Sequence, residues 1–115
     1  MQRVTPVDLN RLQEMVGDDP EFIEELLDTF VESTEELMTP LRAGVQSGDA
    51  QAVMRESHRL KGSSANVGAE ALQEQSHELE KMGRAGSLDR AAEVLAEIET
   101  EFARVREFLA ERRRH

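Results

Sequence analysis

The most regular run of apolar positions lies near the end of the chain. Leu88, Ala91, Leu95, Ile98, Phe102, Val105 and Leu109 recur in steps of three and four. That spacing puts one apolar seam on one side of a helix and leaves charge on the other faces. An earlier stretch has the same pattern through Ile23, Leu26, Leu27, Phe30, Thr34, Leu37, Leu41 and Val45. Asp19-Pro20 opens it as a cap followed by a first-turn proline. Pro40 lies inside it and predicts a kink or a break, because proline lacks the backbone donor. Gly48-Asp49 closes this helix and caps a third, which Gly68 ends. A fourth follows; Gly83 and Gly86 bracket the next turn, and Ser87 caps the fifth. At the start, Thr5-Pro6 reads as the cap of a short helix carrying Leu9, Leu12 and Val16, ended by Gly17.

Matching seams joined by short loops favour a bundle over one extended coiled coil. The pattern predicts an all-α fold, an antiparallel four-helix bundle with a short extra N-terminal helix. The bundle helices are expected at about 19–46, 49–67, 69–84 and 87–112. No repeat or linker interrupts the pattern, so residues 1–115 read as a single domain.

Composition agrees. Aromatic residues make up 3% of the chain and charged residues 33%, rich in good helix formers. The net charge of -10 argues against broad nucleic-acid binding and against adhesion to anionic membranes. The run Arg112-Arg113-Arg114 is the local exception and reads as a solvated helix end. Without cysteine there is no disulfide or thiolate chemistry. No apolar run reaches the ~20 residues of a membrane span. A cytoplasmic, monomeric domain is the expectation.

The third helix carries the candidate chemistry. On a helical wheel, Gln51, Met54, Arg55, Lys61, Gly62 and Ala65 fall on the side of His58. Val53, Ser57, Leu60, Ser64 and Val67 fall opposite, and they are the apolar and small set. His58 is therefore expected to point outward. Gly62, one turn later, costs helix stability where alanine would not, and clears an approach to the ring. Lys61 sets a cation beside that opening. Neutral imidazole is a good nucleophile near neutral pH, and phosphoryl transfer needs mainly positioning and charge stabilisation.

The run His58-Arg59-Leu60-Lys61-Gly62-Ser63-Ser64, followed by Gly68-Ala69 and Leu72, resembles the histidine phosphotransfer (HPt) domain pattern. The resemblance spans nearly the whole chain. It implies that His58 accepts a phosphoryl group from a receiver-domain phospho-aspartate and passes it to a second receiver aspartate in a two-component phosphorelay. It implies a phosphoryl carrier and no enzyme, without ATP binding or autokinase activity. It implies too that this chain holds no cofactor or metal of its own and that Mg²⁺ belongs to the receiver. Response-regulator receiver domains are the implied partners, with a hybrid sensor kinase as a further candidate. Lys61 and Gly62 carry over as charge and clearance, and Met54, Arg55, Arg59 and Ala65 would face the partner. His77, Glu80 and Arg84 would flank the site from the fourth helix. Family members commonly have glutamine where this chain has Glu80, so a carboxylate there is a departure. For all three flanking residues a solvated helix face is the alternative.

Three other readings compete. A sensor-kinase dimerisation helix would have acidic and proline residues after its histidine, not Arg-Leu-Lys-Gly. A di-metal bundle would use E-x-x-H pairs; Glu74-Gln75-Ser76-His77 has that spacing, whereas Arg55-Glu56-Ser57-His58 sets its glutamate only two residues before the histidine. It requires His58 to face inward, against the apolar seam. The remaining alternative is a helical interaction module that binds receivers without phosphotransfer.

Overall fold

The computed structural model describes residues 5–114. Five helices follow one another: α1 (Leu9–Val16), α2 (Pro20–Ser47), α3 (Ala50–Asn66), α4 (Glu70–Ala85) and α5 (Ala91–Arg114). Helices α2 to α5 form the four-helix bundle, in which each packs on its neighbour in chain order and α5 returns to α2. α1 packs on α2. The expected seams line the core: Leu27, Leu41, Val53, Leu60, Leu72, Leu79, Ile98 and Val105 are all buried. Among the described residues no helix is long and apolar enough to cross a membrane.

Helix starts follow local rules where a side-chain acceptor is available. Asp19 accepts from the Glu21 N–H at 3.1 Å with Pro20 in the first turn, and Asp49 accepts from the Ala52 N–H at 3.1 Å. The expected first cap is corrected. Thr5-Pro6 precedes the helix, and Asp8 caps α1 by accepting from the Arg11 N–H at 3.1 Å. The reason is tertiary: the Asp8 N–H donates to the Gly68 carbonyl at 2.9 Å, tying the start of α1 to the α3–α4 turn. Gly68 sits there at φ 73°, and a Cβ on it would lie 2.9 Å from the Asp8 carbonyl oxygen.

Pro40 does not break α2, which runs through it. Buried Leu37, Met38, Leu41 and Gly44 pack on both sides of the proline. That packing offsets the roughly 3 kcal/mol a helix-interior proline costs. The fifth helix begins at Ala91 rather than near Ser87. Gly86 turns the chain at φ 71°, and Leu88 reaches the core from the loop. Its spacing mimics one more helical turn. The basic end of α5 is also corrected: Arg112 and Arg113 pair with Glu24 of α2, and Arg113 with Asp28 as well, so this end of the bundle is closed by charge.

The closest packing joins α3 and α4. Ser57 and Ser64 on α3 and Ser76 on α4 are fully buried. Gly83, expected in a turn, lies inside α4 against the α3 backbone. Small side chains remove the bulk that normally holds helices 8–10 Å apart. The two helices that carry the candidate chemistry are therefore a rigid, tightly apposed pair.

Candidate functional site

His58 stands on the outer face of α3, its side chain 67% exposed. Its position follows from the seam beneath it, since Val53, Ser57, Leu60 and Ser64 are buried. Its ring is not free to turn at will. Nδ1 lies 2.8 Å from Oε2 of Glu80, one turn before the end of α4.

Glu80 is the centre of the arrangement and is 1% exposed. Oε1 lies 2.6 Å from the Lys61 Nζ, and Oε2 also accepts from the Arg84 guanidinium at 2.8 Å. His77 Nδ1 is farther, at 3.9 Å from Oε1. A solvated helix face is thus corrected for Glu80: it lies beneath the histidine with cations around it. Burial works to raise its pKa, but hydrogen bonds from Lys61, His58 and Arg84 and the Lys61 charge hold it down to about 2. An ionised carboxylate only accepts hydrogen bonds. The bond to His58 therefore requires the proton on Nδ1, which leaves the Nε2 lone pair for chemistry.

This pairing has a pH signature. The folded pKa of Glu80 lies below its ordinary 4.5, so the stabilisation is present above about pH 4.5 and is lost as pH falls toward 2. Urea unfolding of the wild type and Glu80→Gln should show a stability gap above pH 4.5 that narrows steadily down to pH 2. A constant gap across that range would refute the ionised network.

Gly62, one turn after His58, faces open space: a Cβ built there meets nothing within 4 Å. Met54, Arg55, His58, Arg59, Glu80 and Arg84 line one shallow groove. Met54 is half-buried in it. Ala65 is half-buried two turns further along α3 and lies outside the groove. His77 is half exposed and lines a separate polar groove with Arg11, Lys61 and Glu74. The sequence reading weighed Glu56 only as a metal ligand and missed its pairing with two arginines. Glu56 is buried and accepts from Arg55 at 3.2 Å and Arg59 at 2.8 Å. Its i,i+3 spacing to Arg59 was a signal for a pair, though not for burial. Among the described residues no three His, Asp or Glu side chains converge to hold a metal ion.

The Hpt domain family's sequence model matches residues 25–108. The chain belongs to the Hpt domain family. Two relatives place this Hpt chain further. It is 31% identical over 91 residues to the phosphorelay intermediate protein rdeA of Dictyostelium discoideum, a match covering 79% of the chain. The chain spans only about a third (36%) of that relative's length. It is also similar to the crystal structure of histidine-containing phosphotransfer protein B from Pseudomonas aeruginosa. That similarity has 41% identity and a TM-score of 0.82, and it covers 98% of this chain and 99% of that one. The helical bundle of this Hpt chain is thus shared along nearly its full length.

Proposed function

We propose that this Hpt chain carries a phosphoryl group on Nε2 of His58 between receiver aspartates in a two-component phosphorelay. One observation carries the reading: buried Glu80 occupies Nδ1 of the exposed His58 and so leaves Nε2 available for chemistry. In the transfer, the Nε2 lone pair attacks the phosphorus of an aspartyl phosphate. An N–P bond forms, the P–O bond to the aspartyl carboxyl breaks, and the carboxylate leaves with the electron pair. Positive charge grows on the imidazole as Nε2 bonds to phosphorus. Glu80, already in place at Nδ1, stabilises that charge without reorganising. Lys61 offers a cation to the phosphoryl oxygens. The reverse step delivers the group to a second receiver.

On this reading the chain is a monomeric cytoplasmic carrier with no ATP-binding or autokinase activity and no cofactor of its own. Mg²⁺ belongs to the receiver. Met54 and the arginines of the groove meet the receiver surface. The test is direct. Incubation with a phosphorylated receiver and Mg²⁺ should add the mass of one phosphoryl group to the intact chain. The label should be acid-labile and alkali-stable, as an N–P bond is, and should map to the peptide containing His58. An acid-stable label, or no label from receivers that transfer to other Hpt proteins, would refute the proposal.

A further inference from the structure

The charge around His58 is arranged differently from the charge of the rest of the molecule. Four cations surround the histidine: Arg55, Arg59, Lys61 and Arg84. Arg55, Arg59 and Arg84 are more than half exposed. The two carboxylates among them, Glu56 and Glu80, are buried below the surface. Each carboxylate cancels one charge but holds two cations. The patch therefore stays at +2 in a chain whose net charge is -10. Its positive groups face outward and its negative groups are sunk beneath them.

The two halves of the patch have the same design. Glu80 holds Lys61 and Arg84 on one side of the histidine. Glu56 holds Arg55 and Arg59 on the other. Glu80 also binds the imidazole, so its place follows from the chemistry. Glu56 touches no part of that chemistry. Its visible work is to fix two guanidiniums, one on each side of His58 in sequence. A guanidinium has five N–H donors in a rigid fork, so a bond to Glu56 leaves donors free to face outward. An arginine already ordered in this way loses less rotamer freedom when a partner binds.

We infer that the braced arginines Arg55 and Arg59, with Lys61 and Arg84, form an electrostatic docking surface that draws an acidic protein face onto His58. The inference rests on the phosphotransfer reading, because the acidic partner is the receiver that delivers the phosphoryl group. A positive patch on a chain of net negative charge orients the encounter: an acidic face is repelled by the molecule's net charge and attracted at this patch. Rim charges of this kind act mainly on the association rate and its salt dependence. A nucleic acid would meet the same local charge, but it would also meet the field of the whole chain.

The experiment is stopped-flow association with a receiver domain that transfers to the wild-type chain, at several salt concentrations. The wild-type association rate should fall about tenfold from low to physiological salt. The Arg55→Gln/Arg59→Gln double variant should associate about tenfold more slowly at low salt, with a flatter salt dependence, and should dissociate at least several-fold faster, because the two braced guanidiniums also contact the bound partner. Arg42→Gln, which removes an exposed arginine paired with Glu99 between α2 and α5, should match the wild type. Glu56→Gln keeps both arginines but unbraces them, and should speed dissociation several-fold. Circular dichroism confirms that each variant is folded. A salt-independent wild-type rate, or an equal effect from Arg42→Gln, would overturn the inference while leaving the carrier reading intact. Unchanged dissociation in Glu56→Gln would overturn the bracing. Tight, receiver-like binding of duplex DNA would overturn the choice of an acidic protein. A wild-type chain that takes no phosphoryl group from any receiver fails earlier, and that result counts against the carrier reading itself.

Discussion

His58→Gln is expected to take up no acid-labile phosphate from a phosphorylated receiver, while its helix content and unfolding midpoint stay near those of the wild type. The size of the effect follows from the chemistry. An amide nitrogen has its lone pair delocalised into the carbonyl and is no nucleophile. The small effect on stability follows from position. His58 is an exposed side chain, and substitutions at such sites usually change stability by within about 0.5 kcal/mol. Glutamine is the informative choice because its NH₂ can still donate to Glu80, so the buried carboxylate keeps a partner near where Nδ1 was. Alanine would mix loss of the nucleophile with loss of that bond. Intact-mass measurement after incubation separates the outcomes. A phosphate retained by the variant would move the acceptor role elsewhere, with half-exposed His77 the first place to look.

The second large effect is on stability. Gly83→Ala is expected to destabilise the fold by about 2 kcal/mol, within the usual range for overpacking a tight interior. A Cβ at Gly83 would sit 2.6 Å from the Met54 nitrogen and 2.8 Å from the Ala50 carbonyl oxygen. Both are α3 backbone, so no side chain can swing aside and the helices must separate. The gain in helix propensity is about 1 kcal/mol and is outweighed. Gly62→Ala is the control, with the same chemical change in a neighbouring helix. Its Cβ meets nothing, so only the propensity gain of about 1 kcal/mol remains and the sign reverses. In thermal melts the first variant should fall by about 8 °C and the second should rise by about 4 °C. Equal shifts would refute the close-approach argument. Gly83→Ala should also slow phosphotransfer, since Gly83 lies one turn after Glu80 and Met54 one turn before His58. The spacing of the helices sets the bond between their side chains.

What the sequence showed and what it hid divide along the same line. The outward direction of His58 was legible because it depends only on its own helix, whose seam through Val53, Leu60 and Val67 has a clear period. The burial of Glu80 was not. Its neighbours in sequence read as an ordinary charged face, and it takes Lys61 and His58, arriving from α3, together with Arg84, to make a buried carboxylate tolerable there. Gly83 looked like turn punctuation because its reason for being glycine is the backbone of another helix. Asp8 lost to Thr5 as the first cap because the deciding bond goes to Gly68, far along the chain. Leu88 kept the right spacing for a helix that had not yet begun. Ser87 had the right chemistry for a cap, but Gly86 turned the chain away. For Glu80, Gly83 and Asp8 the evidence lay in a second segment; for Leu88 and Ser87 it lay in the local turn at Gly86.

The α3–α4 pairing has a consequence for how the site is made and kept. His58 and Glu80 are only 22 positions apart, and the two helices join through a turn of three residues. Contacts so near in sequence form early and cost little loop entropy. The reactive arrangement therefore assembles within one helical hairpin. When α1 or the tip of α5 frays in a partial opening, the hairpin can stay closed beneath it. The candidate site is thus contained in a segment of chain far shorter than the domain, while the outer helices keep its inner seam dry.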